Sequence, residues 1–344
     1  MIEKPRLDAV SLPLEYASRD QPAEIPSNSC PEKTPMTEHE FKLIAPPHVP
    51  LDADGELNLD VVEQQGRHFK ETGIHGVFVS GTTGECSSLT MDERLALATR
   101  WAEVGRETGL EVIIQVGHNC QAEACRSAAH AQEIGADAAA ALAPSYFRPD
   151  TVDSLIDFLA PVAASAAELP FYFYDIPSMT NVRLDMVEFL EQGKDRIPNL
   201  VGLKYSNADL VQLQECLRVD GGAFEILFGC DEILLTGIVL GAAGAVGSTY
   251  NFAAGLYHRM IAAVRSGDLE TARTLQAKAA QSVQIMQEYG FHAAAKSTMA
   301  MIGIDCGPVR SPLRNLTSSE RSELRDRLDA LEIFDPAPRV KLPR

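Results

Sequence analysis

The chain has 344 residues, of which 45% are hydrophobic and 6% aromatic, a composition typical of a globular protein with a sizeable core. Its formal net charge of −18 is spread along the sequence, which argues against a nucleic acid or an anionic membrane surface as partner, because both bind basic faces. No apolar run approaches a membrane span or signal peptide, and the seven cysteines form no metal-binding pattern, so we expect a cytoplasmic protein with reduced thiols.

The N-terminal segment differs from the rest of the chain. Residues 1–38 contain six prolines and show no clear hydrophobic period, which predicts an extension that is flexible or draped over the surface. Organised sequence begins just after Met36, and one hypothesis therefore places the natural start of the protein at that residue.

From residue 39 onward, short apolar runs alternate with longer amphipathic stretches. The predicted strands are KLIAP, GVFVSG, EVIIQVG, AAAALAP, PFYFYDIP, LVGLKYS, EILFGCD and GAVGSTYN. Predicted helices between them include TMDERLALATRWAEVGRE, which opens with Thr90 and Glu93 in a capping-box pattern. Eight such units at intervals of about 30 residues predict an α/β protein with a (β/α)8 TIM barrel over residues 39–265.

Two further helical stretches follow the eighth unit. They read DLETARTLQAKAAQSVQIMQEYG and SSERSELRDRLDALEIF, and they predict a C-terminal helical region over residues 266–344.

In a barrel of this kind, reactive side chains gather where the strands end. The predicted strand ends carry SGTTGE, YDIPS, KYSN, GCDE and GSTYN, which are rich in hydroxyl groups and glycine and contain three tyrosines. They offer no set of histidine, cysteine and carboxylate ligands, so we predict neither a metal site nor a dinucleotide cofactor. The glycines of residues 241–247 precede a strand and are interpreted as a helix-to-strand turn.

Lys204 is an unexpected residue within an apolar strand. Strand alternation places it on the barrel side with small Gly202, while the bulky Val201, Leu203 and Tyr205 face the helices. No acidic residue is apparent on the inward faces of the neighbouring strands. Two interpretations remain open: a structural ion pair with a buried carboxylate, or a desolvated amine that attacks a carbonyl and forms a Schiff base.

Three further features lie at neighbouring strand ends. Tyr174 is interpreted either as an aromatic residue filling the barrel or as a phenol that shuttles a proton beside an imine. The turn GTTGE can present backbone N–H groups and the hydroxyls of Thr82 and Thr83 to a carboxylate. Asp231 and Glu232 are read either as helix caps or as residues that grip substrate hydroxyls.

The motifs GTTGE, YDIP, GLKYS and FGCDE…GAVGSTYN together resemble the dihydrodipicolinate synthase/N-acetylneuraminate lyase family of class I pyruvate aldolases, over about residues 41–316. The resemblance implies a barrel with C-terminal helices that assembles as a homotetramer and uses no metal or organic cofactor. It also implies that Lys204 is the Schiff-base lysine and Tyr174 the proton shuttle. Thr82 and Thr83 would hold the carboxylate of pyruvate.

The branch of the family is indicated by what surrounds these motifs. Synthases of the family usually carry an arginine two residues after the proline of the tyrosine motif, where Met179 stands here. The chain looks more like the sialic acid lyase branch, whose matching positions hold the hydroxylated chain of the substrate. These positions are Ser206, Gly229, Asp231, Glu232 and Ser248.

Three residues leave the identity of the substrate undecided. Asp175 replaces the asparagine or histidine that usually follows the tyrosine, and Cys230 occupies a variable position beside the site. Tyr146 aligns with a tyrosine that synthases use in a proton relay between subunits.

The resemblance implies reversible cleavage of N-acetylneuraminate to N-acetylmannosamine and pyruvate, so the expected partners are small molecules, pyruvate and a sugar acid. The alternatives are dihydrodipicolinate synthase, another pyruvate aldolase acting on a 2-keto sugar acid, or a sugar-acid-binding barrel without catalysis.

Overall fold

The computed structural model describes residues 41–334, so the predicted extension of residues 1–38, with Met36, lies outside the described residues. All eight predicted strands are present. They are β1 Lys42–Ala45, β2 Gly76–Val79, β3 Glu111–Gln115, β4 Ala138–Leu142, β5 Phe171–Asp175, β6 Leu200–Tyr205, β7 Glu225–Phe228 and β8 Gly244–Val246.

The strands close into a barrel. Each is parallel to the next along the chain, and β8 returns to β1, with Ile44 opposite Val246. Inward side chains such as Phe78 and Leu227 form a small interior cluster. Outward side chains pack beneath the helices in a larger core, as expected for parallel strands buried on both faces. The predicted (β/α)8 fold is confirmed.

Helices connect the strands and cover the outside of the barrel. They are α1 Asp60–Glu71, α2 Met91–Thr108, α3 Gln121–Glu133, α4 Val152–Ala164, α5 Pro177–Thr180, α6 Met186–Arg196, α7 Leu210–Cys216, α8 Leu234–Leu240 and α9 Tyr250–Ser266. The predicted capping box of α2 is confirmed, because Thr90 Oγ1 accepts from Glu93 N at 3.2 Å and the Glu93 carboxylate accepts from Thr90 N at 2.8 Å. Gly241 ends α8 in a left-handed conformation and begins the predicted turn, whereas Gly244 is the first residue of β8 and Gly247 follows that strand.

Up to residue 334, three helices follow the barrel: α10 Leu269–Tyr289, α11 Phe291–Met301 and α12 Ser318–Asp329. Helix α10 packs along α9, and both α11 and α12 contact α10. Helices α10 and α12 agree with the sequence analysis, which did not single out α11. The division of the chain at residues 265 and 266 stays a prediction. Of the helices in the described residues, none is both long enough and apolar enough to span a bilayer.

The N-terminal end of the barrel interior is charged. Lys42 Nζ lies 3.5 Å from Glu111 Oε2 and 3.3 Å from Glu225 Oε1, and the hydroxyl of Tyr172 donates to Glu225 Oε2 at 2.7 Å. The expectation that no acidic residue faces inward beside the strand of Lys204 is therefore wrong. Glu225 lies on β7 two residues below the level of Lys204, and its carboxylate is engaged by other groups.

The predicted outward orientation of Val201 is also wrong. The pairing of β6 with β5 shifts between Leu200 and Gly202, so Val201 is an extra residue and packs against the interior cluster. A Cβ at Gly202 would lie 1.8 Å from a backbone oxygen of β7, so this position requires glycine. Alternation resumes there, and Leu203 and Tyr205 face the outer core as predicted.

Candidate active site

Lys204 lies on the barrel side of β6 and is 3% exposed. Its Nζ lies 3.9 Å from the ring centroid of Phe78 and 3.8 Å from that of Tyr174. None of the ion pairs among residues 41–334 involves this amine. The interpretation of Lys204 as one half of a structural ion pair is therefore not supported.

The surroundings of Lys204 change its protonation. Burial lowers the pKa of Lys204 from its ordinary value of 10.5 to about 7, while the nearby carboxylate of Asp231 acts in the opposite direction. Removal from water destabilises an ammonium ion more than a neutral amine. A substantial fraction of Lys204 is therefore unprotonated at neutral pH, and this is the form that attacks a carbonyl carbon.

Tyr174 lies on β5 directly opposite Lys204. Its hydroxyl is 3.2 Å from Thr82 Oγ1, and its ring packs edge-on against Phe78 with centroids 5.3 Å apart. Burial raises the pKa of the Tyr174 phenol, because the charged phenolate is disfavoured away from water. The side chain therefore keeps its proton at neutral pH and can donate it to a neighbouring oxygen.

The turn Gly81–Glu85 brings two hydroxyl groups to this end of the barrel. The hydroxyl of Thr82 faces Tyr174, as described above, and Thr83 Oγ1 lies 2.6 Å from Ser248 Oγ after β8. Four of the side chains predicted for the site therefore lie in contact as two pairs, each joined by hydroxyl groups that can both donate and accept a hydrogen bond.

The ends of this turn have an unusual backbone. Ser80 and Glu85 have φ values of 56° and 53°, a left-handed conformation that costs about 1–3 kcal/mol for a residue other than glycine. Gln115 Nε2 donates to Ser80 O at 3.2 Å, and Glu85 N donates to Thr82 O at 3.0 Å. The neighbouring groups therefore hold the turn in one defined shape.

Asp231 has a buried carboxylate. Its Oδ2 accepts from Thr249 N at 2.8 Å and from Thr249 Oγ1 at 2.6 Å, and burial raises its pKa to about 7. Helix α8 begins only at Leu234, and its first-turn Leu235 N donates to Gln276 Oε1 at 2.7 Å and not to Asp231. The capping interpretation of Asp231 is therefore wrong. Glu232 is exposed beside it.

The ends of β6 and β7 approach each other closely. A Cβ on Gly229 would lie 2.0 Å from Ser206 Oγ, so only glycine allows this approach. Ser206 N donates to Asp175 O, and Gly229 N donates to Tyr205 O, both at 2.8 Å. Ser206 and Gly229 therefore lie side by side at the end of the barrel that carries Lys204.

The two residues that depart from the family pattern both contact Asn207. Asp175 accepts from Asn207 Nδ2 at 3.1 Å, and burial raises the pKa of its carboxyl to about 6. Cys230 Sγ lies 3.7 Å from Asn207 O, and burial raises the pKa of its thiol to about 12. Both side chains therefore shape the segment that follows Ser206. Met179 is 56% exposed at the position where synthases usually carry arginine.

Tyr146 is not brought together with the other predicted residues within this chain. It lies between β4 and α4, is 78% exposed, and packs edge-on against Phe147, which is 84% exposed.

The sequence analysis missed two side chains that contact the turn from α11. His292 Nε2 is 3.0 Å from Thr82 O, and Lys296 Nζ is 2.8 Å from Glu85 Oε1. A lysine within the apolar stretch HAAAKSTMAM is the same signal that identified Lys204. This signal indicates a buried amine but not its partner.

The C-terminal end of the barrel thus combines a partly unprotonated amine, a phenol, several hydroxyl groups and a buried carboxyl group. Such a set can form an imine with a carbonyl compound and move a proton beside it. Within the part of the chain that the structure describes, no group of three or more histidine, cysteine, aspartate or glutamate side chains is arranged to hold a metal ion.

Known proteins are similar to this chain in both sequence and fold. A family model described as the dihydrodipicolinate synthetase family matches residues 40–331. The N-acetylneuraminate lyase of Mus musculus is 38% identical over 303 residues, which are 87% of this chain and 94% of the mouse protein.

Two solved structures extend the comparison. The N-acetylneuraminate lyase of Proteus mirabilis has a TM-score of 0.83 and 36% identity, covering 86% of this chain and 100% of that one. The enzyme of the same name from Aliivibrio salmonicida has a TM-score of 0.84 and 33% identity, covering 87% of this chain and 99% of that one. Because the family model matches most of the sequence, this chain belongs to the dihydrodipicolinate synthetase family.

Proposed function

We propose that this chain catalyses the reversible cleavage of N-acetylneuraminate to N-acetylmannosamine and pyruvate through an imine on Lys204. The observation that carries the proposal is the buried Lys204 amine, which has no ion-pair partner among the described residues and lies 3.8 Å from the centre of the Tyr174 ring. The choice of substrate is supported by relatives named N-acetylneuraminate lyase that align with 85–87% of the chain.

The reaction begins at Lys204. The neutral amine attacks the C2 ketone of the open-chain sugar acid, and uptake of one proton with loss of water gives an iminium ion. The electron pair of the C3–C4 bond then moves toward the iminium nitrogen, which releases the sugar aldehyde and leaves an enamine. Protonation of the enamine at C3 and hydrolysis return pyruvate and the free amine. The imine itself is the electron sink, so the step requires no metal or organic cofactor.

Tyr174 acts as the proton carrier. Cleavage requires the C4 hydroxyl of the substrate to lose its proton, and condensation requires the aldehyde oxygen to gain one. Because burial favours the neutral phenol, Tyr174 accepts a proton only as it passes its own onward to Thr82 Oγ1, 3.2 Å away. Thr82 in turn gives its hydroxyl proton to the substrate carboxylate that it holds, and one proton is finally delivered to C3 of the enamine. Acid–base assistance of this kind typically contributes about 10²–10⁴ in rate.

The remaining residues bind the two ends of the substrate. Thr82 and Thr83, with the backbone N–H groups of their turn, hold the carboxylate of the pyruvate portion. The hydroxylated chain is held by the side chains and backbone around the ends of β6, β7 and β8, namely Ser206, Gly229, Asp231, Glu232 and Ser248.

The experiment that tests this function compares two reactions of the purified protein. We expect release of pyruvate from N-acetylneuraminate, and we expect no consumption of aspartate semialdehyde with pyruvate, because Met179 stands where a synthase usually carries its arginine. The Lys204→Met variant is the matched control and should be inactive. Turnover of aspartate semialdehyde alone would identify a synthase, turnover of another 2-keto sugar acid would identify a different aldolase, and binding without turnover would identify a non-catalytic barrel.

We also propose that the chain assembles as a homotetramer. The exposed aromatic pair of Tyr146 and Phe147 supports burial between subunits, because large aromatic side chains are enriched at protein interfaces. In such an assembly Tyr146 would approach a neighbouring subunit. Light scattering with size-exclusion chromatography measures the state directly. A cytoplasmic location stays a prediction from the cysteine pattern.

A further inference from the structure

The turn proposed to bind the carboxylate is held from outside the barrel. Its backbone contacts α11, a helix that follows the eight barrel units and contributes no strand end. Two polar side chains of α11, His292 and Lys296, reach Thr82 and Glu85 respectively. Neither side chain belongs to the set that touches the proposed substrate.

The pair of Lys296 and Glu85 is buried on both sides. The side chains are each 2% exposed, and Nζ lies 2.8 Å from Glu85 Oε1. The same Nζ donates to Pro308 O at 2.7 Å, and Arg310 N donates to Glu85 Oε2 at 3.4 Å. A buried ion pair with additional hydrogen bonds on both partners fixes the position of each group. Glu85 is therefore fixed to the C-terminal region.

His292 fixes a second point of the turn. Its Nε2 lies 3.0 Å from the carbonyl oxygen of Thr82, which can only accept, so the ring nitrogen is the donor. His48 is buried close to both His292 and Lys296, and burial lowers its pKa to about 3. His48 is therefore neutral and adds no second cation beside Lys296.

These contacts account for the strained C-terminal end of the turn, at Glu85. Glu85 has a φ of 53°, which a residue other than glycine keeps only where its surroundings enforce it. The ion pair acts on that residue itself, and the histidine acts on the carbonyl three residues earlier. Without them, the turn can relax toward ordinary backbone angles, which would move the hydroxyls and N–H groups of Thr82 and Thr83.

We propose that Lys296 and His292 are positioning residues that hold the Thr82–Thr83 turn in the shape that binds the substrate carboxylate. The C-terminal helices thereby determine the affinity for pyruvate without contacting it. This inference rests on the proposed function, since it assumes that pyruvate is the compound bound at the turn.

The test measures the rate of condensation of pyruvate with N-acetylmannosamine. The concentration of each compound is varied in turn while the other is kept at a saturating concentration. His292→Phe removes one donor from a half-buried site, and Lys296→Met removes the cation. Because Lys296→Met leaves the Glu85 carboxylate buried without its cation and can prevent folding, the double variant Glu85→Gln/Lys296→Met removes both charges. We expect the KM for pyruvate to rise about tenfold in each folded variant and the KM for the aldehyde to change less than about twofold.

Two controls complete the design. Lys296→Arg keeps a cation at this position and should retain most of the parent protein's affinity for pyruvate. Arg327→Gln removes a surface ion pair with Glu288, 2.7 Å long, between α12 and α10, and should leave both KM values unchanged. An unchanged KM for pyruvate in folded His292→Phe and in the double variant, or an equal rise in both KM values, would overturn the proposal. A parent protein that does not condense these compounds refutes the proposed function instead, and positioning is then measured from the pyruvate dependence of imine trapping at Lys204.

Discussion

The protonation of Lys204 can be measured without any assumption about the sugar. At pH 6 a pKa of about 7 leaves roughly one tenth of the amine unprotonated, about 3000 times more than a lysine with the ordinary pKa of 10.5. The reactivity of a lysine follows its unprotonated fraction. Reactivity of Lys204 should therefore rise with pH, reach half its maximum near pH 7 and stay constant above about pH 8.5.

The assay is competitive acetylation with a trace of acetic anhydride across pH 5.5–10.5. Labelling of the peptide that contains Lys204 is quantified by mass spectrometry, normalised to an added free lysine derivative, and corrected for the unprotonated fraction of that derivative at each pH. Normalisation removes the pH dependence of the reagent, and the midpoint of the curve does not depend on how easily the reagent reaches the site.

The variant Asp231→Asn tests the cause of the shift. The carboxylate of Asp231 raises the pKa of Lys204, so its loss should move the midpoint to lower pH, while the amide oxygen can still accept both hydrogen bonds from Thr249. A parent midpoint near pH 10, or a midpoint that moves upward in the variant, would refute the reasoning that burial opposed by one carboxylate determines this pKa.

Three further predictions concern separate parts of the molecule. Tyr174→Phe should lower kcat by about 10²–10⁴ in steady-state assays with little change in KM, because only proton transfer is lost. Gly229→Ala should weaken binding of the sugar aldehyde and leave imine trapping with pyruvate intact, because the new Cβ would lie 2.0 Å from Ser206 Oγ. Glu93→Gln should reduce the free energy of unfolding in urea by about 1–3 kcal/mol through loss of its bidentate contact with Arg310, at 2.8 and 2.5 Å. That contact holds the pKa of Glu93 at about 2, so the difference between parent and variant should be complete above pH 4.5 and shrink below it.

The barrel could be predicted from the sequence because its evidence is local. Strands that are buried on both faces read as continuous apolar runs, and each of the eight runs is visible within its own short window. The alternation of side chains along β5 and β6 predicted that Tyr174 and Lys204 face the barrel interior. The strand register agrees with this prediction, because the two residues lie directly opposite each other. The core of the site was therefore available from residue pattern alone.

The remaining features depend on contacts between distant segments. The orientation of Val201 follows from a register shift against another strand, and the partner of Asp231 lies 18 residues later along the chain. The contact of His292 with the turn spans 210 residues, so no local pattern could reveal it. Strand alternation and propensity describe the neighbours of a residue in sequence, whereas these three outcomes depend on neighbours in space.

The central claim is that Lys204 forms an imine with pyruvate, and reductive trapping tests it most directly. The protein is treated with borohydride in the presence and absence of pyruvate, digested, and mapped by mass spectrometry. The account predicts a carboxyethyl adduct on Lys204 that requires both reagents and that coincides with loss of activity. An unmodified Lys204, or an adduct confined to other lysines while activity is lost, would contradict it.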